Sequence, residues 1–283
     1  MNLKFKALKI IRPLNCLMAS LAVFIGITLA SNFFSMDLSF YNSIIALFVA
    51  FFITGAGNTI NDYYDYKIDS YNAPNRPIPS GIIKRKEAFL LSITLFLVGI
   101  SLSYFINWFC FSLALFNSLI LFFYARNLKG VPLSGNVSVS YLVGSTFLFG
   151  ALVVSEVKVT LVLFLLATLS TLGREIAKDL EDVEGDKEKV KTIATEYGEK
   201  ISANIASFST LLAVLLSPIP FILGYLGIIY LLIVLVADSL FIFGIKELLI
   251  NKNQESAHYF QKISKYAMLI SLVSFLVGSF GFT

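Results

Sequence analysis

The chain has 283 residues, 57% of them hydrophobic and 14% charged, with a formal net charge of +4 and a mean hydropathy of +0.80. A soluble domain is usually about 45–50% apolar and about 25% charged, so the composition excludes an ordinary water-soluble enzyme. The apolar residues gather into runs near the roughly 20 residues that cross a bilayer as a helix, and the alternation of a transmembrane β-barrel is absent.

In chain order, the stretch NLKFKALKIIRP is basic and amphipathic, which predicts a short helix lying on an anionic membrane surface. The apolar run after Arg12 is long enough to be a first span, 13–34, rather than a cleavable signal peptide. A second span, 42–60, runs into NDYYDYKIDSYNAPNRPIPSG. Spans at 87–106 and 108–125 lead to YARNLKGVPLSGNVSVSY, and spans at 137–155 and 159–175 lead to GREIAKDLEDVEGDKEK. Spans at 201–217, 220–244 and 264–282 complete the chain. The expected fold class is all-α: a polytopic membrane protein of about nine transmembrane helices around a central chamber, one domain over 1–283 with motif loops at about 61–86 and 174–200.

Sidedness follows from the basic residues. With nine spans, every Lys and Arg except Lys158 falls on one side, including Lys4, Lys6, Lys9, Arg12, Lys187 and Lys189. That side is expected to be cytoplasmic, with the N-terminus and the motif loops, and the C-terminus is expected outside. The net positive charge then reflects topology, and no nucleic acid or obligate protein partner is expected. Of the acids, only Asp37 and Glu156 fall outside; the membrane centre is almost free of charge, and Asp238, about a turn or two from the predicted cytoplasmic end of 220–244, is the nearest exception. Cys16 and Cys110 stand alone in apolar segments without metal-ligand spacing, and the single His258 reads as a loop residue. The charged stretch 184–200, EGDKEKVKTIATEYGEK, reads as a partly helical cap over the site.

The acids carry the chemistry. Asp62, Asp65 and Asp69 repeat, 117 residues later, as Asp179, Asp182 and Asp186, both triplets reading DxxDxxxD. Offsets of three and seven place each triplet on one helix face, at the end of an apolar span, which points to an internal duplication with two half-sites facing one cavity. Six carboxylates crowded together need cations, and all-oxygen ligands point to Mg²⁺, which commonly bridges carboxylates to substrate phosphates. Among the interleaved bases Lys67, Arg76, Arg174 and Lys178, Arg76 and Lys178 are the better placed for a diphosphate, the guanidinium as a bidentate donor and the ammonium as a point charge. Such a site favours departure of a diphosphate from an allylic carbon, with an apolar chamber that keeps water from the cation left behind.

These motifs resemble the UbiA superfamily of intramembrane prenyltransferases. The first matches NDxxDxxxD as Asn61, Asp62, Asp65 and Asp69, followed by NRPIPSG, and the second matches DxxDxxxD as Asp179, Asp182 and Asp186. The resemblance implies that the six aspartates are catalytic, that with Asn61 they hold two Mg²⁺ ions, and that a prenyl diphosphate donor lies with its tail in a hydrophobic tunnel. RPLNCLMA and YARNLKGVPLSGNVSVSY are similar to the archaeal branch that builds ether lipids, the digeranylgeranylglyceryl phosphate synthases. That branch transfers a geranylgeranyl group to the sn-2 hydroxyl of geranylgeranylglyceryl phosphate. It implies an acceptor site at Arg12, Asn15, Tyr124 and Lys129, and an anionic lipid acceptor gives Arg126 and Lys129 a physical role. The alternatives are an aromatic quinone precursor as acceptor, of the hydroxybenzoate or dihydroxynaphthoate type, and, from another class, a cation-coupled membrane transporter. The lack of a continuous polar route across the spans argues against transport.

Overall fold

The computed structural model describes residues 8–35, 39–186 and 191–280, with the side chains of Asn72 and Asp186 left aside. The expectations for Lys4, Lys6, Asp37, Lys187, Lys189, the Asp186 side chain and most of the N-terminal amphipathic stretch lie outside the described residues.

Among the described residues, nine helices are long and apolar enough to cross a membrane. They are α1 Pro13–Phe33, α2 Phe40–Asn72, α3 Arg85–Tyr104, α4 Trp108–Arg126, α5 Ser134–Leu152, α6 Thr160–Glu181, α7 Glu199–Leu216, α8 Ile228–Asn251 and α9 Gln254–Ser279. Local chemistry sets several ends. Pro13, with its φ fixed and no N–H to leave unpaired, opens α1. The side chains of Ser39, Asn107 and Asn253 accept backbone N–H groups at the starts of α2, α4 and α9.

Several predicted bounds move. The helix of the second span continues to Asn72, so the first acidic motif is helical rather than a loop. Pro218, Pro220 and Gly224, the last at φ 69°, make a turn, and α8 therefore begins at Ile228 rather than 220. The turn is as apolar as the helices beside it, which hides it from hydropathy. The last span begins at Gln254 instead of 264, because Asn253 caps a polar first turn there.

The lengthening of α8 to Asn251 also relocates Asp238. It lies well inside the helix, buried, where it accepts a hydrogen bond from Ser217 Oγ at 2.6 Å. Ser217 follows the last turn of α7 and also receives the Tyr230 hydroxyl at its carbonyl, 2.6 Å. Asp238 is therefore held by a polar neighbour at the end of α7.

The helices pack as α1 against α2 and α5, α2 against α3, α5 against α6, α6 against α7 and α8 against α9, while α9 returns to touch α6 and α1. In a membrane, close packing replaces the hydrophobic drive between helices, so small residues sit at the tightest crossings. Gly26 and Gly150 are such a pair: a Cβ on either would overlap a backbone oxygen of the other helix. This crossing brings α1, which carries Arg12 at its start, into one unit with α5, which carries Asn136.

Candidate active site

The first motif is a buried helix face. Asp62, Asp65 and Asp69 of α2 are only 3, 7 and 5% exposed, yet none is left without a cation. Asp62 Oδ1 accepts from Arg12 Nη2 at 2.6 Å and lies 3.6 Å from Arg76 Nη1. Asp69 Oδ2 accepts from the same Arg76 Nη1 at 2.6 Å. Asp65 Oδ2 accepts from Lys129 Nζ at 2.5 Å and from Asn61 Nδ2 at 2.8 Å. Charge-assisted bonds of this kind are among the strongest in proteins, and here three carboxylates meet three bases drawn from three separate segments. Burial works against the charge of Arg76, but its hydrogen bond to Asp69 and the charges of Asp69, Asp62 and Asp65 outweigh it and raise its pKa. Arg12 reaches back from a left-handed backbone, φ 51°, immediately before Pro13, a conformation that costs a non-glycine residue energy and recurs at functional sites. Lys9, Arg12, Asp62, Asn75 and Arg76 line a cavity of about 450 Å³ at this end of the bundle.

The second motif is built differently. Asp179 sits in the last turn of α6 and accepts from Asn136 Nδ2 at 2.8 Å. Asp182 caps the helix at φ −89°, ψ 4°, and is exposed. Arg174 Nη1 donates to the neighbouring Glu175 Oε1 at 2.7 Å, while the buried Arg174 Nε finds no partner among the described residues. The link between the motifs is the connection from α4 to α5. Lys129 and Asn136, seven residues apart, hold Asp65 of one motif and Asp179 of the other. Tyr124, just upstream, lies within electrostatic reach of Glu175, Asp65 and Asp179 together. The two triplets thus stand at one end of the bundle around a shared seam.

Among the described residues, no three acidic, histidine or cysteine side chains converge closely enough to hold a metal in this arrangement, because the first-motif acids are turned onto basic partners. The donor chemistry nevertheless fits a hard cation. Asn61 Oδ1 is buried without a hydrogen bond among the described residues, beside Asp62 and Asp65, an orphaned acceptor where a positive charge is wanted. The bases already there show that the site stabilises cationic groups. Asn61, Asp62, Asp65 and Asp69 on α2 and Asp179, Asp182 and Asp186 at the end of α6 are an all-oxygen set suited to Mg²⁺.

Other predicted residues stand further off. Lys67 is exposed on the side of α2 turned away from the three aspartates, since five residues is about 140° around a helix. Lys178, Asn15 and Arg126 are exposed and make no side-chain hydrogen bond or ion pair among the described residues. The sequence reading missed Asn136 and Glu175. Glu175 had a legible signal: it lies one turn before Asp179 on the same face, and the 117-residue repeat places it over Asn58, which holds the Ile11 carbonyl at 2.9 Å. His258, expected in a loop, lies in the first turn of α9, where its Nδ1 meets Glu181 Oε1 at 2.7 Å.

The comparisons with known proteins agree with this geometry. The model of the UbiA prenyltransferase family matches residues 19–273. The digeranylgeranylglyceryl phosphate synthase of Methanosarcina mazei is 44% identical over 283 residues, covering 96% of this chain and 97% of that one. A solved structure of a digeranylgeranylglyceryl phosphate synthase in membranes superposes with a TM-score of 0.85 at 41% identity, covering 99% of this chain and 100% of the other. A UbiA homologue from Archaeoglobus fulgidus bound to GPP and Mg²⁺ shares the fold, with a TM-score of 0.68 at 19% identity over 96% of this chain and 99% of its own.

Proposed function

The chain belongs to the UbiA prenyltransferase family, and from that premise we propose that it transfers a geranylgeranyl group from geranylgeranyl diphosphate to the sn-2 hydroxyl of geranylgeranylglyceryl phosphate. The product is digeranylgeranylglyceryl phosphate, a precursor of ether membrane lipids. The observation that carries this reading is the bridged pair of aspartate motifs, Asp65 tied through Lys129 and Asp179 through Asn136, in a chain so similar to named synthases of that lipid.

It is a multi-pass membrane protein, and the excess of Lys and Arg at the motif end supports a cytoplasmic orientation for that end and for the N-terminus. The residues that would hold two magnesium ions are Asn61, Asp62, Asp65 and Asp69 on one side and Asp179, Asp182 and Asp186 on the other. When bound, magnesium supplies the positive charge that stabilises the departing diphosphate. Arg76, Arg174 and Lys178 bind diphosphate oxygens: Arg76 is poised among the carboxylates, and the unpartnered Arg174 Nε is a donor in waiting. Arg12, Asn15, Tyr124, Arg126 and Lys129 surround the acceptor, whose phosphate requires cations and whose chain requires the apolar bundle. The same bundle excludes water, so the acceptor hydroxyl rather than hydroxide meets the allylic carbon.

Purified protein is supplied with Mg²⁺, radiolabelled geranylgeranyl diphosphate and, separately, geranylgeranylglyceryl phosphate, a hydroxybenzoate or a dihydroxynaphthoate. A two-chain glyceryl phosphate that disappears with EDTA is the expected product. Product with an aromatic acceptor alone would overturn the acceptor while keeping the donor chemistry.

A further inference from the structure

Two cavities meet across the short segment before α1. Leu8–Ile11 forms one turn of 3₁₀ helix, in which residues three apart eclipse one another. Leu8 and Ile11 therefore share one side, while Lys9 and Arg12, the latter just past the turn, both line the cavity on the other. Between them Ile10 is fully buried against Ile78, Ile83 and Ala88. The basic side faces the cavity of about 450 Å³ that holds Arg76 and Asp62. The apolar side, Leu8 and Ile11, lines a second cavity of about 460 Å³ floored by Phe51, Phe52 and Gly55 of α2 and by Leu91 and Leu95 of α3.

The turn is held in place from below. The Ile11 carbonyl accepts from Asn58 Nδ2 at 2.9 Å and from Cys16 Sγ at 3.1 Å. Gly55 keeps the groove open under it, since a Cβ there would already touch the Ile11 side chain at 3.4 Å. Lys9 has no carboxylate partner among the described residues, which leaves its charge available at the junction.

We propose that this turn is a saddle for the acceptor lipid: the phosphate sits against Lys9 and Arg12 in the basic cavity, and the isoprenoid chain crosses the saddle into the groove between α2 and α3. The inference rests on the acceptor reading above and assigns the two halves of that substrate to two named sites. A ligand that is anionic at one end and singly apolar at the other matches an adjoining basic cavity and apolar groove that share one turn of backbone. The glycerol between phosphate and chain then lies beside Asp62, which lines the basic cavity, so its free hydroxyl faces the carboxylate end of the site.

The test uses the full-length enzyme in lipid nanodiscs, Gly55→Leu and Leu95→Trp to fill the groove from two helices, and Lys9→Gln at the head. Steady-state KM is measured for the donor and for glyceryl phosphates bearing a geranylgeranyl or a geranyl chain. Lost methylene contacts in an apolar pocket are worth at least about tenfold. Both groove variants are therefore expected to raise KM about tenfold for the long-chain acceptor and far less for the short one, with the donor KM unmoved. Lys9→Gln is expected to raise KM for both acceptors equally. In the groove variants, an unmoved acceptor KM, a rise in donor KM instead, or equal loss with both chain lengths would overturn the saddle, the last meaning that the groove holds only membrane lipid; so would a Lys9→Gln acceptor KM that does not move. If wild-type enzyme makes no product from either glyceryl phosphate, the acceptor reading itself fails before any variant is compared.

Discussion

The two aspartate motifs share one spacing and differ in almost everything the fold does with it. The first lies inside a continuous helix, buried, with all three carboxylates bonded to Arg12, Arg76 and Lys129. The second straddles the end of α6: Asp179 is held by a neutral Asn136, and Asp182 stands exposed at the cap. A duplicated sequence has thus become one half-site buried within a helix against three bases and one that runs across a helix end. The physical cause lies downstream of each triplet. Helix α2 runs on past Asp69 to Asn72, whereas α6 ends at Glu181, before its own triplet is complete. A divided site of this kind presents a buried frame on α2 and sets Asp182 of the other motif at an exposed helix end.

The largest effect that can break this contrast is removal of one acid from each half. Asp65→Ala and Asp182→Ala should both lower transfer by at least about 10²–10³-fold, the scale of losing a preorganised electrostatic contact to developing charge. Their stabilities should part company. Asp65→Ala strands Lys129 and should cost about 1–2 kcal/mol, the lower part of the range because that lysine can turn to water. Asp182→Ala, at an exposed cap with no ion pair or side-chain hydrogen bond among the described residues, should stay within about 0.5 kcal/mol of wild type. Thermal unfolding in detergent beside the transfer assay decides it: equal destabilisation of the two variants would mean that the halves are alike.

A smaller effect sharpens the reading of the bases. If Lys129 stands in for a metal charge at Asp65, then Lys129→Met should destabilise the magnesium-free protein. It should also tighten Mg²⁺ binding by about fivefold, corresponding to the roughly 1 kcal/mol of a partly exposed ion pair. Arg126→Met, three residues earlier and unpaired among the described residues, should leave Mg²⁺ affinity alone. Calorimetric titration of the ligand-free protein with Mg²⁺ reads this without any turnover. Unchanged affinity in Lys129→Met would show that its bond to Asp65 does not compete with metal.

Much of this was legible in the sequence, for reasons that mark where legibility stops. Span number, the pairing of the motifs and their common end rest on hydropathy and on a spacing repeated at 117 residues, signals local enough to read directly. The contacts that neutralise the first motif were not legible, because Arg12 meets Asp62 across 50 residues and Lys129 meets Asp65 across 64. Charge counting assigned both bases to topology or to substrate and said nothing of the acids they hold. Glu175 was passed over because a single acid beside Arg174 reads as a local pair, although its phase with Asp179 marks it as facing the site. The start of α8 was misplaced because Pro218 and Pro220 interrupt a stretch whose hydropathy does not fall.

The second half has a further tether just past Asp179, and its weakness is the finest test of the contrast. Glu181, beside Asp182, accepts from Gln261 Nε2 at 3.1 Å and meets His258 Nδ1 at 2.7 Å, which ties the end of α6 to the start of α9. The imidazole is 64% exposed, against 34% for Arg12 and 41% for Lys129 in the first half. Solvent screens so exposed a contact, so His258→Ala should cost no more than about 0.5 kcal/mol. For a chain of this size that is a fall of about 1–2 °C in unfolding temperature. Gln261 would still hold Glu181, and transfer should fall by less than about threefold. A loss as large as that of Asp65→Ala would show that the second half depends on this tether as the first does on its bases, and the two motifs would then be held equally firmly by different designs.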